Sequence, residues 1–257
     1  MANDAKYMLR ALELAKLAWG RTAPNPMVGA VIVRNGKIIG EGYHHAAGQP
    51  HAEPNAIRDA QEHGRKLDGA TLYVNLEPCS TYGRMPPCTR SILQTPIKNV
   101  VIGSLDPNPA HAGRGVAILR EAGIKVKTGV ELAACEELNQ PFFKWITTGK
   151  PFVMLKMAMT LDGRIATAAG ESKYITGPEA RERVQELRQL AGAILVGGRT
   201  MRLDRPQLTV RNVPDWAKKP KRFVASRTMT KTELAKLYGS EENLPEIVML
   251  ENRAGWE

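Results

Sequence analysis

His51, Cys79 and Cys88 restrict this chain more than any other feature, because three metal-ligating side chains far apart in sequence must be carried to one point. His51-Ala52-Glu53 opens a stretch of helical periodicity, and Pro78-Cys79 closes a β-like run. Cys88, separated from Cys79 by eight residues, opens the next helical stretch. One His and two Cys fill three corners of a tetrahedral zinc and leave the fourth for water, as a catalytic site requires. Zinc acidifies such a water to a pKa of about 7. Glu53, two residues from a ligand, is spaced to pass its proton to a ring nitrogen and a departing amine. The ligands fall at helix starts, where free N–H groups and the helix dipole favour thiolate. Taken singly, His-Ala-Glu also suits a surface helix start, and the two cysteines also suit small buried residues. The ordered set in a strand–loop–helix context is what points to metal. Cys135 lies on an amphipathic helix away from the motif and reads as a core residue.

The periodicity around these residues predicts an α/β fold. Residues 5–19 read as a helix, and Val28–Val33 and Lys37–Gly42 as strands joined by the hairpin turn Asn35-Gly36. A helix over His51–His63 tolerates Pro54 in its first turn. Strand Ala70–Asn75, helix Thr89–Gln94, strand Asn99–Gly103, helix Gly113–Ala122 and strand Ile124–Thr128 follow. The order argues for helices packed on a largely parallel sheet. A helix over Leu132–Trp145 then runs into Thr147-Thr148-Gly149-Lys150-Pro151, the best domain boundary in the chain. A second α/β unit opens with strand Phe152–Met157 and the turn Asp162-Gly163. Helix Pro178–Leu190 and strands Ala193–Val196, Arg222–Ala225 and Glu246–Leu250 complete it.

Composition narrows the class. Three cysteines are too few for a disulfide framework, and no apolar run approaches the roughly 20 residues of a membrane span. A cytoplasmic protein without a membrane role is therefore expected. The net charge of +10 is spread evenly, with 18 Lys and Arg against 13 Asp and Glu both in 1–150 and in 151–257. A diffuse excess with 5% aromatic residues suits small anionic substrates better than nucleic acid, whose footprint is a basic, aromatic cluster.

The His-x-Glu, Pro-Cys, Cys order is that of the zinc nucleobase deaminases. A deaminase of tRNA or single strands would carry two residues between its cysteines, and a structural zinc module would carry a fourth protein ligand. The insert Ser80-Thr81-Tyr82-Gly83-Arg84-Met85-Pro86-Pro87 instead resembles the deaminase half of the bifunctional deaminase/reductase family of riboflavin biosynthesis. Pro24-Asn25-Pro26-Met27-Val28-Gly29-Ala30, Asp106-Pro107-Asn108-Pro109, Gly113-Arg114-Gly115 and Ala122-Gly123-Ile124 extend the similarity. The resemblance implies a cytidine-deaminase-like α/β/α sandwich over residues 1–147. It would deaminate a diamino(ribosylamino)pyrimidinone phosphate, with zinc on His51, Cys79 and Cys88 and with Glu53 catalytic. Asn25 and His44 would contact the pyrimidine and Arg84 the phosphate or ring; Thr81 and Met85 stand where the family has His and Thr.

From Pro151 the chain resembles the reductase half of the same family, through Lys156–Ala166, Ser172–Thr176, Gly197–Thr200 and Asp204–Arg211. The resemblance implies a dihydrofolate-reductase-like α/β domain over 151–257 that uses NADPH to reduce the ribosyl group to a ribityl chain. Ala158, Tyr174, Thr200, Asp204 and Ser226 would meet NADPH, Tyr174 standing where the family has Trp. Ser172, Arg188, Leu208 and Arg211 would meet the substrate, with Lys156 near the reacting carbon. The family's chain continues past this endpoint through further strands and a glycine-rich turn, so an incomplete reductase domain is expected. An open sheet edge makes a homo-oligomer a further expectation.

Overall fold

A hairpin starts the first sheet. Strands β1 (Gly29–Arg34) and β2 (Lys37–Tyr43) join through Asn35 and Gly36, both left-handed with φ of 51° and 73°, the conformation for which Asn-Gly is suited. The computed structural model describes residues 2–83, 85–109, 111–211, 213, 216, 218–239 and 244–250. The chain divides into two compact units, Met1–Leu155 and Lys156–Glu257.

In the first unit the strand order is β2-β1-β3-β4-β5, with β3 (Thr71–Leu76), β4 (Asn99–Ser104) and β5 (Lys125–Thr128). β1 pairs antiparallel with both β2 and β3, and only β3, β4 and β5 run parallel. The sheet is therefore mixed rather than largely parallel, because the opening hairpin contributes two antiparallel pairings. Helices α1 (Ala2–Lys16) and α5 (Leu132–Leu138) cover one face; α2 (Ala52–Glu62), α3 (Cys88–Leu93) and α4 (Arg114–Glu121) cover the other. The expected α/β/α sandwich is what forms.

Small residues set the helix–sheet distances. A Cβ on Gly29 would lie 2.0 Å from the Ala11 carbonyl oxygen of α1. One on Gly42 would lie 2.3 Å from the Ala56 nitrogen of α2. Ile32, Leu72, Val74, Val100 and Ile102 fill the space beneath α2 to α4 with no exposed surface. Each such side chain contributes about 1.5–3 kcal/mol on burial.

The expected helix over Leu132–Trp145 breaks at Asn139 into α5 and α6 (Gln140–Thr148). Pro141 cannot continue the hydrogen-bond ladder, and the buried Asn139 amide is used elsewhere. It accepts from Met27 N–H at 2.8 Å and donates to the Met27 carbonyl at 2.9 Å. Asn75 does the same one step along, accepting from Gly29 N–H at 2.8 Å and donating to Met27 at 3.1 Å.

In the second unit β6 (Ala193–Gly197), β7 (Lys221–Ser226) and β8 (Glu246–Met249) form a parallel sheet in that order. Helices α7 (Pro178–Leu190), α8 (Gly198–Asp204) and α9 (Lys231–Tyr238) accompany it, and Met201, Leu208, Val224, Met229 and Leu234 make its core. The strand expected over Phe152–Met157 does not form, and Val153 and Leu155 are each 82% exposed. Its residues are apolar on both faces, a pattern that makes a strand only where both faces and a ladder partner are supplied. The turn at Asp162-Gly163 does form, closed by the Thr160 N–H to the Arg164 carbonyl at 2.8 Å. Helices α8 and α9 were not read from the sequence, although α9 carries a capping pattern. Thr230 accepts from the N–H of Glu233 three residues on. Among the described residues no helix is long and apolar enough to cross a membrane.

The Asn139 clamp gives a stability test. Asn139→Ala strands the Met27 N–H in a buried site, at about 1–3 kcal/mol, while the Met27 carbonyl keeps its bond from Asn75. Urea unfolding should show a loss of about 1–3 kcal/mol with the m-value unchanged, and a loss below about 0.5 kcal/mol would mean water replaces the amide.

Candidate active site

His51 precedes α2 in extended conformation, with φ −74° and ψ 172°, and its side chain caps nothing. Its Nδ1 instead lies 3.2 Å from Cys88 Sγ and 3.6 Å from Cys79 Sγ. The three donor atoms fall within 4.8 Å of one another. Tetrahedral zinc bonds of about 2.0 Å to nitrogen and 2.3 Å to sulfur separate N from S by about 3.5 Å. The trio has the spacing and donor chemistry that zinc requires.

Helix α3 fixes the second pair of ligands. Cys88 is its first residue, and the Cys88 N–H donates to Cys79 Sγ at 3.2 Å while the Thr89 N–H donates to the Cys79 carbonyl at 3.2 Å. Donation from the Cys88 thiol, with His51 beside it, draws Cys79 well below the usual thiol range. Cys88 is pushed up by that same partner and by burial. His51 is raised by its bond to Cys79. One thiolate is thus held ready at the helix start, where the dipole favours it.

Glu53 lies in the first turn of α2 and is 3% exposed. Burial, then the negative charge of Cys79, pushes its carboxyl up to about 7. Its Oε2 is buried without a hydrogen-bond partner among the described residues. His44 is buried too, and both of its ring nitrogens are engaged, Nδ1 with the Pro50 carbonyl at 3.1 Å and Nε2 with Asn25 Nδ2 at 3.1 Å. Burial lowers its pKa. A neutral ring donating from Nδ1 and accepting at Nε2 satisfies both contacts, and it leaves Asn25 Oδ1 uncommitted by this pair.

These groups open into a cavity of about 540 Å³, bounded across the site by Phe142, Trp145 and Ile146. Thr81 and Met85 also line it, whereas Arg84 lies outside the described residues. Three titratable lining residues received no role from the sequence: Glu77, Asp106 and His111. The buried Glu77 carboxylate accepts from the N–H groups of Asp106 at 3.1 Å, Gly113 at 2.9 Å and Val116 at 3.1 Å. It ties the strand end that carries Cys79 to the loop before α4. Its position next to Pro78-Cys79 was the available signal, together with the Asp106-Pro107-Asn108-Pro109 run.

The candidate residues of the second unit fall into three groups. Lys156, Ala158, Ser172 and Tyr174 belong to irregular backbone, Lys156 exposed and Tyr174 75% exposed beneath the Arg181 guanidinium. Thr200, Asp204 and Ser226 lie at or just beyond the carboxyl ends of the parallel strands β6 and β7. Ser226 is buried, and its hydroxyl accepts from the N–H groups of Thr228 and Met229 at 3.2 and 3.0 Å. Arg188 donates to the Thr209 carbonyl at 2.8 Å, and the Arg211 N–H donates to Gln185 Oε1 at 2.9 Å. Burial, then the charge of Arg211, lowers the Arg188 pKa. Leu208, between them in sequence, is buried with φ 55°.

Residues 1–104 match the cytidine and deoxycytidylate deaminase zinc-binding region, and residues 151–254 match the RibD C-terminal domain. Riboflavin biosynthesis protein RibD of Aquifex aeolicus is 50% identical over 246 residues, covering 96% of this chain and 68% of the relative. That of Synechocystis sp. is 50% identical over 229 residues, covering 89% and 61%. A crystal structure of a diaminohydroxyphosphoribosylaminopyrimidine deaminase/5-amino-6-(5-phosphoribosylamino)uracil reductase from Thermotoga maritima superposes with a TM-score of 0.82 at 46% identity. It covers 88% of this chain and 64% of the relative. The chain thus spans roughly 61–68% of the length of these relatives.

The raised Glu53 carboxyl has a consequence for stability. The folded protein holds this proton more tightly than the unfolded chain, so the stability it carries is complete below about 4.5 and is lost as pH rises through about 7. In metal-stripped protein, Glu53→Gln should gain on wild type by about 3 kcal/mol between about pH 4 and pH 8. Urea unfolding at the two pH values measures it, and parallel behaviour of the two proteins would mean that water reaches the carboxyl.

Proposed function

Because this chain belongs to the RibD family of riboflavin biosynthesis proteins, we propose that its first unit is a zinc deaminase of a diamino(ribosylamino)pyrimidinone phosphate. The observation that carries the reading is a buried carboxyl, Glu53, next to a His51, Cys79 and Cys88 trio that opens into a cavity of substrate size. His51, Cys79 and Cys88 would hold the metal, which when bound supplies an acidified water as nucleophile. Glu53 would carry one proton of the attacking water to the ring nitrogen as the C–O bond forms, and the second, from the hydroxyl so added, to the amino group as the C–N bond breaks and ammonia leaves. It works from the carboxylate form, which a neighbouring cation favours against burial.

Asn25 orients the ring. His44, neutral and bonded at both nitrogens, holds the Asn25 amide so that Oδ1 can accept from a ring N–H or amino group. His44 is then a positioning residue, one step behind the contact. Phe142 and Trp145 supply flat apolar surface over the cavity and exclude water. Arg84 remains a proposed substrate contact on the resemblance alone.

The second unit is proposed to be the NADPH-dependent reductase of the ribosyl group. Open parallel sheets bind ligands at the carboxyl ends of their strands, and Gly197, Gly198, Thr200 and Ser226 meet at that edge. A Cβ on Gly198 would lie 2.8 Å from Ser226 Oγ, so the edge stays narrow there. NADPH, when bound, supplies the hydride; Ala158, Tyr174, Thr200, Asp204 and Ser226 would hold it. Arg188 and Arg211, close enough for one to depress the other, form a dication suited to the substrate phosphate, with Ser172, Leu208 and Lys156 at the sugar. The boundary is proposed between the two matched segments, in 147–151. The protein would act in the cytoplasm on a small phosphorylated pyrimidine, without nucleic acid, and self-association is a further proposal.

Incubating the zinc-loaded chain with the diaminopyrimidine ribosyl phosphate should release ammonia. Glu53→Gln should keep one zinc per chain and lose about 10²- to 10⁴-fold in kcat. Zinc retained with turnover undiminished would reduce the trio to a structural site. No release from folded, zinc-loaded wild type would remove the substrate assignment.

A further inference from the structure

A phosphorylated substrate needs a cation, and the described lining of the deaminase cavity contains no lysine or arginine. Its basic side chains are His44, His51 and His111. His51 is committed to the metal trio, and His44 is buried with both nitrogens engaged. Among the described lining residues His111 alone remains. Its backbone is pinned on both sides, the N–H donating to the Asn108 carbonyl at 2.8 Å and the carbonyl accepting from the Arg114 N–H at 2.6 Å. Its Nδ1 is buried and, among the described residues, has no hydrogen-bond partner.

Resting on the deaminase reading above, we propose that His111 is a specificity-determining residue whose imidazole takes the substrate's phosphate by a ring N–H hydrogen bond. Three features support this. The loop is anchored at both ends by Glu77, which accepts from Asp106 and Gly113 N–H groups, so the ring is presented by rigid backbone. Burial raises the Asp106 pKa and the nearby His111 partly offsets that rise, which places the ring within electrostatic reach of an acid on the same cavity. And an imidazole whose inner nitrogen lacks a partner is completed by a ligand oxygen at hydrogen-bond distance. Glu53, Glu77 and Asp106, the acids on the same cavity, would repel a phosphate everywhere except where a cation intervenes.

The test compares the diaminopyrimidine ribosyl phosphate with its dephosphorylated ribosyl counterpart, using wild type, His111→Gln and His111→Lys, each checked for one zinc per chain. In His111→Gln, KM for the phosphorylated compound should rise about ten- to hundredfold with kcat little changed, as for a lost charge-assisted bond. KM for the dephosphorylated compound should not move, and His111→Lys should recover most of the phosphate preference. Calorimetric titration of metal-stripped protein with the deaminated product phosphate should show the same ranking. Equal shifts for both compounds, or none, would overturn the proposal, as would loss of phosphate preference in Arg84→Gln alone. Failure of wild type to deaminate either compound would instead overturn the reading of the site.

Discussion

The contact of α2 with β2 is the constraint on which the rest of the first unit depends. Gly40 and Gly42 face Ala52, Ala56 and Ala60 so closely that a Cβ on Gly42 would lie 2.6 Å from the Ala52 carbonyl oxygen. No side chain larger than hydrogen fits, and the helix start is thereby fixed against the end of the sheet. His51 and Glu53 lie on that start. A displacement of one methyl diameter would carry His51 Nδ1 out of the 3.2–3.6 Å range it keeps from the two sulfurs. The metal geometry is therefore set by backbone packing more than by the ligands themselves.

The electrostatics of the site cost the fold something, and cores tolerate such costs at functional sites. A nearly fully buried carboxyl and two thiols crowd one point, with Glu53 Oε2 unpartnered among the described residues. The start of α3 offsets part of the cost, since the Cys88 N–H bonds Cys79 Sγ directly. A divalent cation relieves the remainder, because it turns mutual repulsion among anions into attraction. Metal binding by the proposed trio would then be coupled to folding through the same few atoms.

How much of this was legible follows from where each signal resides. The trio and Glu53 were readable because their spacing places them at helix starts, and a helix start has a local sequence pattern. The hairpin was readable for the same reason, since Asn35-Gly36 is dictated by left-handed backbone. The break at Asn139 was not. Its cause is a bond to Met27, 112 residues away, which no local window contains. Glu77 escaped likewise, because a carboxylate that binds three backbone N–H groups looks in sequence like any other glutamate. The strand expected at Phe152–Met157 failed in the opposite sense. Its local pattern is strong, but a strand is a pairing, and apolar residues on both faces describe a demand for neighbours rather than their presence.

The site accordingly has two layers with different origins. In the proposed reading, proton and metal chemistry would rest on His51, Glu53, Cys79 and Cys88, whose positions follow from secondary structure packed without slack. In the same reading, discrimination among substrates would rest on lining residues of the loops after β3 and β4, among them Thr81, Met85, Asp106 and His111. The first layer tolerates almost no change, since each atom is fixed by a helix that cannot move. The second can change a side chain, as Thr81 and Met85 do relative to the family pattern, while Glu77 keeps the backbone in place at Asp106, Gly113 and Val116. A constant reaction with an adjustable pocket is what such a division permits, and it explains why the chemistry is easier to read from the sequence than the substrate.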